Sequence, residues 1–217
     1  MSGQAPPAGG LRERKKALTR ATIEAKALER FLSEGFEQAT LEDICADAVV
    51  SLRTFFRYFT SKEDLVFSRL RSHLGLIEEL FARRPADEPL LTSMSAVIDQ
   101  AVADYAAEPE REVARLRLVA DTPALQAGRA TVFSGFEKLT RRVTATRLHE
   151  ADDSRRPRLV AAATVAAFQV GLDMWVASDA RSDLAELVLD NLDDLTTGIL
   201  PRPTTGTDED SQSTRSR

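Results

Sequence analysis

Three helix-start signals fall ten or eleven residues apart, at Thr40, Ser51 and Ser61, and that spacing constrains the fold more than any other feature of the chain. Thr40-Leu41-Glu42-Asp43 and Ser61-Lys62-Glu63-Asp64 each set a hydroxyl residue three positions ahead of an acid. The hydroxyl can accept from an early backbone N–H, and the acid favours the positive end of the helix dipole. Ser51 opens the segment between them. The two helices so marked are short. Leu41, Ile44, Cys45 and Ala48 form the inward face of one, and Phe55 and Phe59 that of the other.

Longer helices flank the short pair. Upstream, Ile23, Ala27, Leu28 and Phe31 make an apolar stripe on a helix from about Arg12 or Thr19 to Glu34, and Gly35 ends it. Downstream, the helix from Ser61 continues to Arg83–Arg84, where Pro85 breaks it. Helical spacing then recurs over Leu90–Tyr105 and from Pro109 through Val113, Leu116 and Val119. It recurs again from the cap Asp121-Thr122-Pro123 to about Glu150, from Pro157 to about Ser178, and from the cap Ser182 through Leu184–Leu195. Alternating β-branched runs are missing, so the fold class is all-α. The expected division is a disordered leader (1–11), a compact three-helix domain (12–67), a larger helical domain (68–200) and a polar, disordered tail (201–217). The boundary between the two domains falls inside the fourth helix.

Much chemistry is disfavoured at once. One cysteine, Cys45, excludes an internal disulfide or a thiolate cluster, and two histidines, His73 and His149, leave little for a metal site or a triad. There is no Gly-rich phosphate loop and no zinc spacing. A non-enzyme without metal or cofactor is therefore expected. His73, His149 and Cys45 read as packing or surface residues. The most apolar stretch, Leu159–Ala177, is interrupted by Gln169 and Asp173, and Met1–Gly10 has no signal-peptide core, so a cytoplasmic protein with no membrane partner is expected. Charge is uneven. Residues 1–71 hold 12 Lys/Arg against 10 Asp/Glu, and 72–217 hold 17 against 24. The basic excess gathers at Arg12, Arg14, Lys15, Lys16 and Arg20, then at Arg53, Arg57 and Lys62, an electrostatic footprint suited to a polyanion.

Two short helices joined by a tight turn, Thr40–Ala48 and Ser51–Tyr58, spell a helix-turn-helix. Its second helix fits the DNA major groove. Phe55 and Phe59 anchor that helix and leave Ser51, Arg53, Thr54, Arg57 and Tyr58 outward. Gly35-Phe36, Thr40-Leu41-Glu42-Asp43-Ile44, Val50-Ser51, Thr54-Phe55, Arg57-Tyr58-Phe59 and Ser61-Lys62-Glu63-Asp64-Leu65 together resemble the TetR family of transcriptional regulators. The Arg-Thr-Phe-Phe-Arg-Tyr-Phe wording is similar to an actinobacterial, mycofactocin-regulator-like branch. The resemblance implies a homodimer on a palindromic double-stranded operator. It implies repression relieved by a small hydrophobic effector in the larger domain. Thr40, Thr54, Tyr58 and Lys62 would meet phosphates, Arg53 and Arg57 would read base edges, and Ser51 would cap and touch DNA.

Three positions depart from the family pattern. Val49 stands where glycine is usual in the turn, so either its backbone is strained at positive φ or the turn is rebuilt. Arg53 replaces another glycine. Phe56 replaces a tyrosine, which leaves an apolar contact to a sugar or thymine methyl. These departures also support a second reading, a helical interaction module that has lost DNA binding. For the effector pocket, Phe133, Phe136, Phe168 and Trp175 supply apolar walls, and Arg117, Gln169 and Asp173 supply polar groups. A fatty-acyl thioester would need Arg115, Arg117, Arg141 or Arg142 near its acidic head group. The small residues Ala161–Ala167 and Gly171 allow close helix approach and, with the last helix, resemble the family's two-helix surface that pairs across a two-fold axis; the alternative is an intramolecular core face.

Overall fold

A computed structural model describes residues 10–197. Of the expected leader, 1–9 lie outside the described residues and Leu11 already begins a helix; the expected tail 201–217 lies outside as well. Among the described residues there is no strand. The helices are α1 (Leu11–Glu34), α2 (Leu41–Asp47), α3 (Leu52–Phe55), α4 (Lys62–Ala82), α5 (Leu90–Ala107), α6 (Pro109–Asp121), α7 (Gln126–Leu148), α8 (Arg155–Ala177) and α9 (Leu184–Thr197).

The three hydroxyl caps form as the spacing requires. Thr40, Ser51 and Ser61 each accept from the backbone N–H three residues on, that of Asp43, Thr54 and Asp64. Gly35 ends α1 at φ 93°, a left-handed conformation that glycine reaches without Cβ crowding. Ile23, Ala27 and Phe31 of α1 then bury against Phe36, Ile44, Cys45, Phe55, Phe59 and Leu65. Two polar ties close this unit. Arg30 of α1 forks onto Asp47 of α2, with Nε at 2.6 Å and Nη2 at 3.1 Å. Lys62 at the start of α4 reaches back to the α1–α2 turn. Burial pushes the Cys45 thiol up, so it stays protonated and serves the packing.

The turn between α2 and α3 settles the question posed by Val49. Its φ is 54°, the positive value that glycine would supply. The amide of Val49 bonds the Ala46 carbonyl and that of Val50 bonds the Cys45 carbonyl, the paired closure of a Schellman motif. A β-branched residue there costs about 1–2 kcal/mol, and the Val49 side chain, 90% exposed, recovers almost nothing by packing. Val49→Gly is therefore expected to raise stability by about 1 kcal/mol, after subtracting the extra unfolded-state entropy of glycine. A higher urea midpoint at unchanged slope would show it; a lower midpoint would mean the valine side chain stabilises the turn.

Four expectations are corrected. Helix α3 is a single α-turn rather than a helix over 51–58, because the chain must turn at once into the cap of α4. Arg57 and Tyr58 accordingly bond three residues back, to Thr54 and Phe55, in a tightened last turn. Pro123–Leu125 form a separate 3-10 turn and α7 begins only at Gln126, whose side-chain amide donates to the Val119 and Ala120 carbonyls that end α6. Asp183, not Ser182, caps α9, accepting from the amides of Ala185 and Glu186. Finally, Ala161, Ala167 and Gly171 face inward. Gly171 lies against Val188 of α9 so closely that a Cβ would clash, so this part of the small-residue run is an intramolecular contact, while Ala162 and Ala166 of the same run stay exposed. The outward stripe is Leu159, Ala162, Ala166, Val170 and Met174.

Candidate nucleic-acid interface and effector cavity

Helix α3 lies on the surface with its two anchors fully buried. Phe55 and Phe59 stack obliquely, 5.6 Å apart, beneath it. That burial fixes the outward set: Ser51, Arg53, Phe56 and Arg57 are exposed, and Thr54 and Tyr58 half-buried. Arg53 makes no hydrogen bond or ion pair among the described residues, so its guanidinium fork is available. Arg57 instead donates to the Tyr58 hydroxyl at 3.1 Å and lies over its ring. Ser51 and Thr54 share a hydroxyl bond at 3.0 Å. Phe56 is 56% exposed and meets Phe55 edge-on, an apolar surface beside the arginines.

The other two expected phosphate contacts, Thr40 and Lys62, also have internal partners. The Thr40 hydroxyl donates to Asp43 at 2.6 Å while accepting the Asp43 amide, a complete local cap. The Lys62 ammonium donates to the carbonyls of Phe36 (2.6 Å), Ala39 (3.1 Å) and Glu37 (3.3 Å) and sits over the Phe36 ring. Its three N–H groups are thus directed at the α1–α2 turn, because three carbonyls there point at the start of α4 without helical partners. An ammonium has only three donors.

The structure also gathers residues that were not placed in the site from sequence. Arg12, Lys15 and Lys16 at the start of α1 line one open cleft with Arg57 and Tyr58, with Glu13 as its single acid. The basic bias of this segment was visible; its position beside the end of α3 was not, since that depends on how α1 crosses α2 and α3.

Helix α4 carries this unit into the larger body. At the junction, Glu24 of α1 accepts from Ser68 of α4 at 2.7 Å and Arg20 at 3.2 Å. Glu112 of α6, 2% exposed, lies 2.8 Å from Arg69 of α4 and 3.8 Å from Arg115, itself 4% exposed. Burial is the main influence on Arg115 and lowers its pKa, against the opposing pull of Glu112.

Further along α4, a cavity of about 60 Å³ lies among α4, α5, α7 and α8. Phe133, Phe136 and Phe168 line it, as do His73, Tyr105, Thr140 and Thr164. Of the other residues assigned to a pocket from sequence, Asp173 lines a second cleft that shares Phe133, where it faces Arg129 at 3.9 Å. Arg117, Gln169 and Trp175 line neither. Arg117 turns to the end of α8, donating to Asp179 at 2.6 Å and to the Val176 carbonyl, and holds the Asp179 carboxyl below its usual range. Trp175 is buried behind the wall, edge-on to Tyr105 at 6.2 Å. His73, read from sequence as packing or surface, is buried in the cavity wall and stacked on Tyr105.

This geometry agrees with known proteins. Residues 23–68 match the family model described as bacterial regulatory proteins of the tetR family, and residues 87–200 match the MftR C-terminal domain. The chain is 34% identical over 194 residues to the HTH-type transcriptional regulator TcmR of Streptomyces glaucescens, covering 84% of this chain and 83% of that one. Among solved structures, FadR of Thermus thermophilus, a TetR-family repressor crystallised with lauroyl-CoA, shares the fold with a TM-score of 0.58 at 22% identity, over 86% of this chain and 97% of that one. The SmeT–triclosan complex does so with a TM-score of 0.59 at 21% identity, over 81% and 90%. A helix-turn-helix whose outward residues can meet DNA, joined through α4 to a helical body of the MftR type, places the chain in the TetR family of DNA-binding transcriptional regulators and outside the enzymes.

Proposed function

We propose that two copies of this chain grip a palindromic operator, each laying Ser51–Tyr58 in the major groove, and repress transcription until an effector fills the cavity beside α4. The observation that carries the reading is the sidedness of α3, with Phe55 and Phe59 fully buried and Arg53 and Arg57 outward. Arg53 reads a base pair, since its fork can bond guanine O6 and N7. Arg57, Thr54 and Tyr58 position the helix on phosphates together with Arg12, Lys15 and Lys16; Ser51 and Thr40 contribute through the helix ends they cap. Lys62 supports the motif chiefly by holding the α1–α2 turn. The left-handed turn at Val49 supports an intact motif rather than a module that has lost DNA binding.

A dimer suits the exposed apolar stripe of α8. Length and composition would allow this helix to cross a membrane, yet it packs on α7 and α9, and Leu159, Val170 and Met174 stay exposed. A second copy covering them would set two copies of α3 one DNA turn apart. The protein acts in the cytoplasm, where its DNA is. An effector between α4, α5, α7 and α8 shifts α4, and with it the spacing of the two reading helices. Release follows if the effector binds the DNA-incompetent arrangement more tightly.

The test is a titration of the duplex upstream of the protein's own gene. Arg12, Lys15, Lys16 and Arg57 from two protomers give eight cations, so log K against log salt should fall with a slope of about −7. Arg53→Ala should weaken binding by about 1–3 kcal/mol and relax preference at one base pair per half-site. Unchanged sequence preference in that variant would move the reading role off Arg53.

A further inference from the structure

We infer that the cavity beside α4 takes a compact, uncharged molecule, a ring-sized apolar body bearing one hydroxyl-type donor, and rejects a carboxylate of the same shape. The inference rests on the proposed role of this cavity as the effector site and adds the chemistry of the occupant.

The wall carries the argument. No Lys, Arg, Asp or Glu is among its lining residues, and nearly all the lining surface is aliphatic or aromatic. A carboxylate held there would lose its hydration, and the one ionisable base on the wall, His73, is 5% exposed and stacked on Tyr105, so charging it to meet the carboxylate would bury a second ion. The four arginines that an acidic head group would need are all engaged elsewhere. Arg115 faces Glu112, Arg117 holds Asp179, Arg141 lies 3.0 Å from Asp152, and Arg142 donates to Glu78. The cation nearest to a second chamber, Arg129, lies across Phe133 from the cavity and already faces Asp173.

On the α7–α8 side of the wall, the hydroxyls of Thr140 and Thr164 set the polarity of the contact. Thr164 Oγ1 donates to the Val160 carbonyl at 2.8 Å, which spends its proton. What it can offer the cavity is a lone pair, so the occupant must donate. The Thr140 hydroxyl, 8% exposed on the same wall, makes no hydrogen bond among the described residues and can accept from or donate to the hydroxyl of the same occupant. Size follows from the volume. At roughly 10–15 Å³ of such space per water, 60 Å³ admits about four to six waters, or roughly 120–180 Å³ of liquid, the bulk of one substituted ring.

The molecule supplies its own reporter. Trp175 is the single tryptophan, and it touches the cavity through Tyr105. The experiment titrates full-length protein with phenol and with benzoate, following Trp175 fluorescence and, in parallel, calorimetric heat. The phenol is expected to bind at least tenfold more tightly. Thr164→Val, isosteric but without the hydroxyl, should weaken the phenol about three- to tenfold and leave the benzoate unchanged. Thr140→Val serves the same purpose if the first variant fails to fold. Equal or tighter binding of the benzoate overturns the inference, as does failure of both probes up to their solubility. The same samples are titrated with operator duplex. Intact DNA binding without discrimination between the probes removes this inference alone. Phenol binding without DNA binding keeps the cavity chemistry and removes the regulator reading.

Discussion

Glu112→Gln is expected to destabilise the protein by about 3 kcal/mol, far beyond an ordinary surface substitution. Glu112 is buried on α6 between two guanidinium groups, Arg69 on α4 and Arg115 on its own helix. The amide keeps its shape and some hydrogen-bonding capacity but removes the one negative charge between them. Arg115 cannot shed its proton, and its Nε and Nη1 already lack hydrogen-bond partners, so the loss falls on a buried cation left with only the weaker pull of Glu24. The second arm separates charge from packing. Arg115→Met in the Glu112→Gln background removes that cation and fills the space with an apolar chain, and it should recover most of the loss. Urea unfolding at fixed protomer concentration measures both, because dimer stability depends on concentration. A loss below about 0.5 kcal/mol for Glu112→Gln would show that water reaches this junction and screens it. The location gives the result its functional meaning: these charges fasten the helix that carries the DNA-reading unit to the body that holds the cavity.

The DNA-reading half was largely legible in the sequence, and for a physical reason. Its signals are local. A cap needs a hydroxyl and an amide three residues apart, and Thr40, Ser51 and Ser61 declare themselves without reference to the rest of the chain. The inward roles of Phe55 and Phe59 follow from their spacing alone. What the sequence concealed depends on long-range geometry. Lys62 reads as a free cation at a helix start; that it ends on the carbonyls of Phe36, Glu37 and Ala39 requires knowing how the α1–α2 turn lies over α4. Arg12, Lys15 and Lys16 read as a charged face, and only the crossing of α1 brings them beside Arg57. The cavity was the least legible part. Aromatic residues on a helix face look alike whether they fill a core or line a hollow, so Phe133, Phe136 and Phe168 could not be told from Trp175. His73 and Thr164 gave no signal at all, because what matters is their placement across α4, α5, α7 and α8. The small-residue run of α8 was legible only in part: close helix approach could be read, but not which of its residues meet α9 of the same chain and which stay outward.

Backbone amide exchange on the protein with and without operator duplex tests most directly whether Ser51–Tyr58 is the face that meets DNA. In the free protein the amides of Phe55, Phe56, Arg57 and Tyr58 are held by one α-turn and a tightened last turn, at the surface and near a helix end, so they open locally at low cost. DNA across that face must be displaced before they open. At a duplex concentration one hundred times Kd, the linkage amounts to about 2.7 kcal/mol, roughly a hundredfold slowing. The expected result is that slowing at Phe55–Tyr58, with a parallel effect at the start of α2 after Thr40, in a complex of two chains per duplex. Bound DNA with unchanged exchange at Phe55–Tyr58 and slowing on another surface would contradict the docking face on which the rest depends.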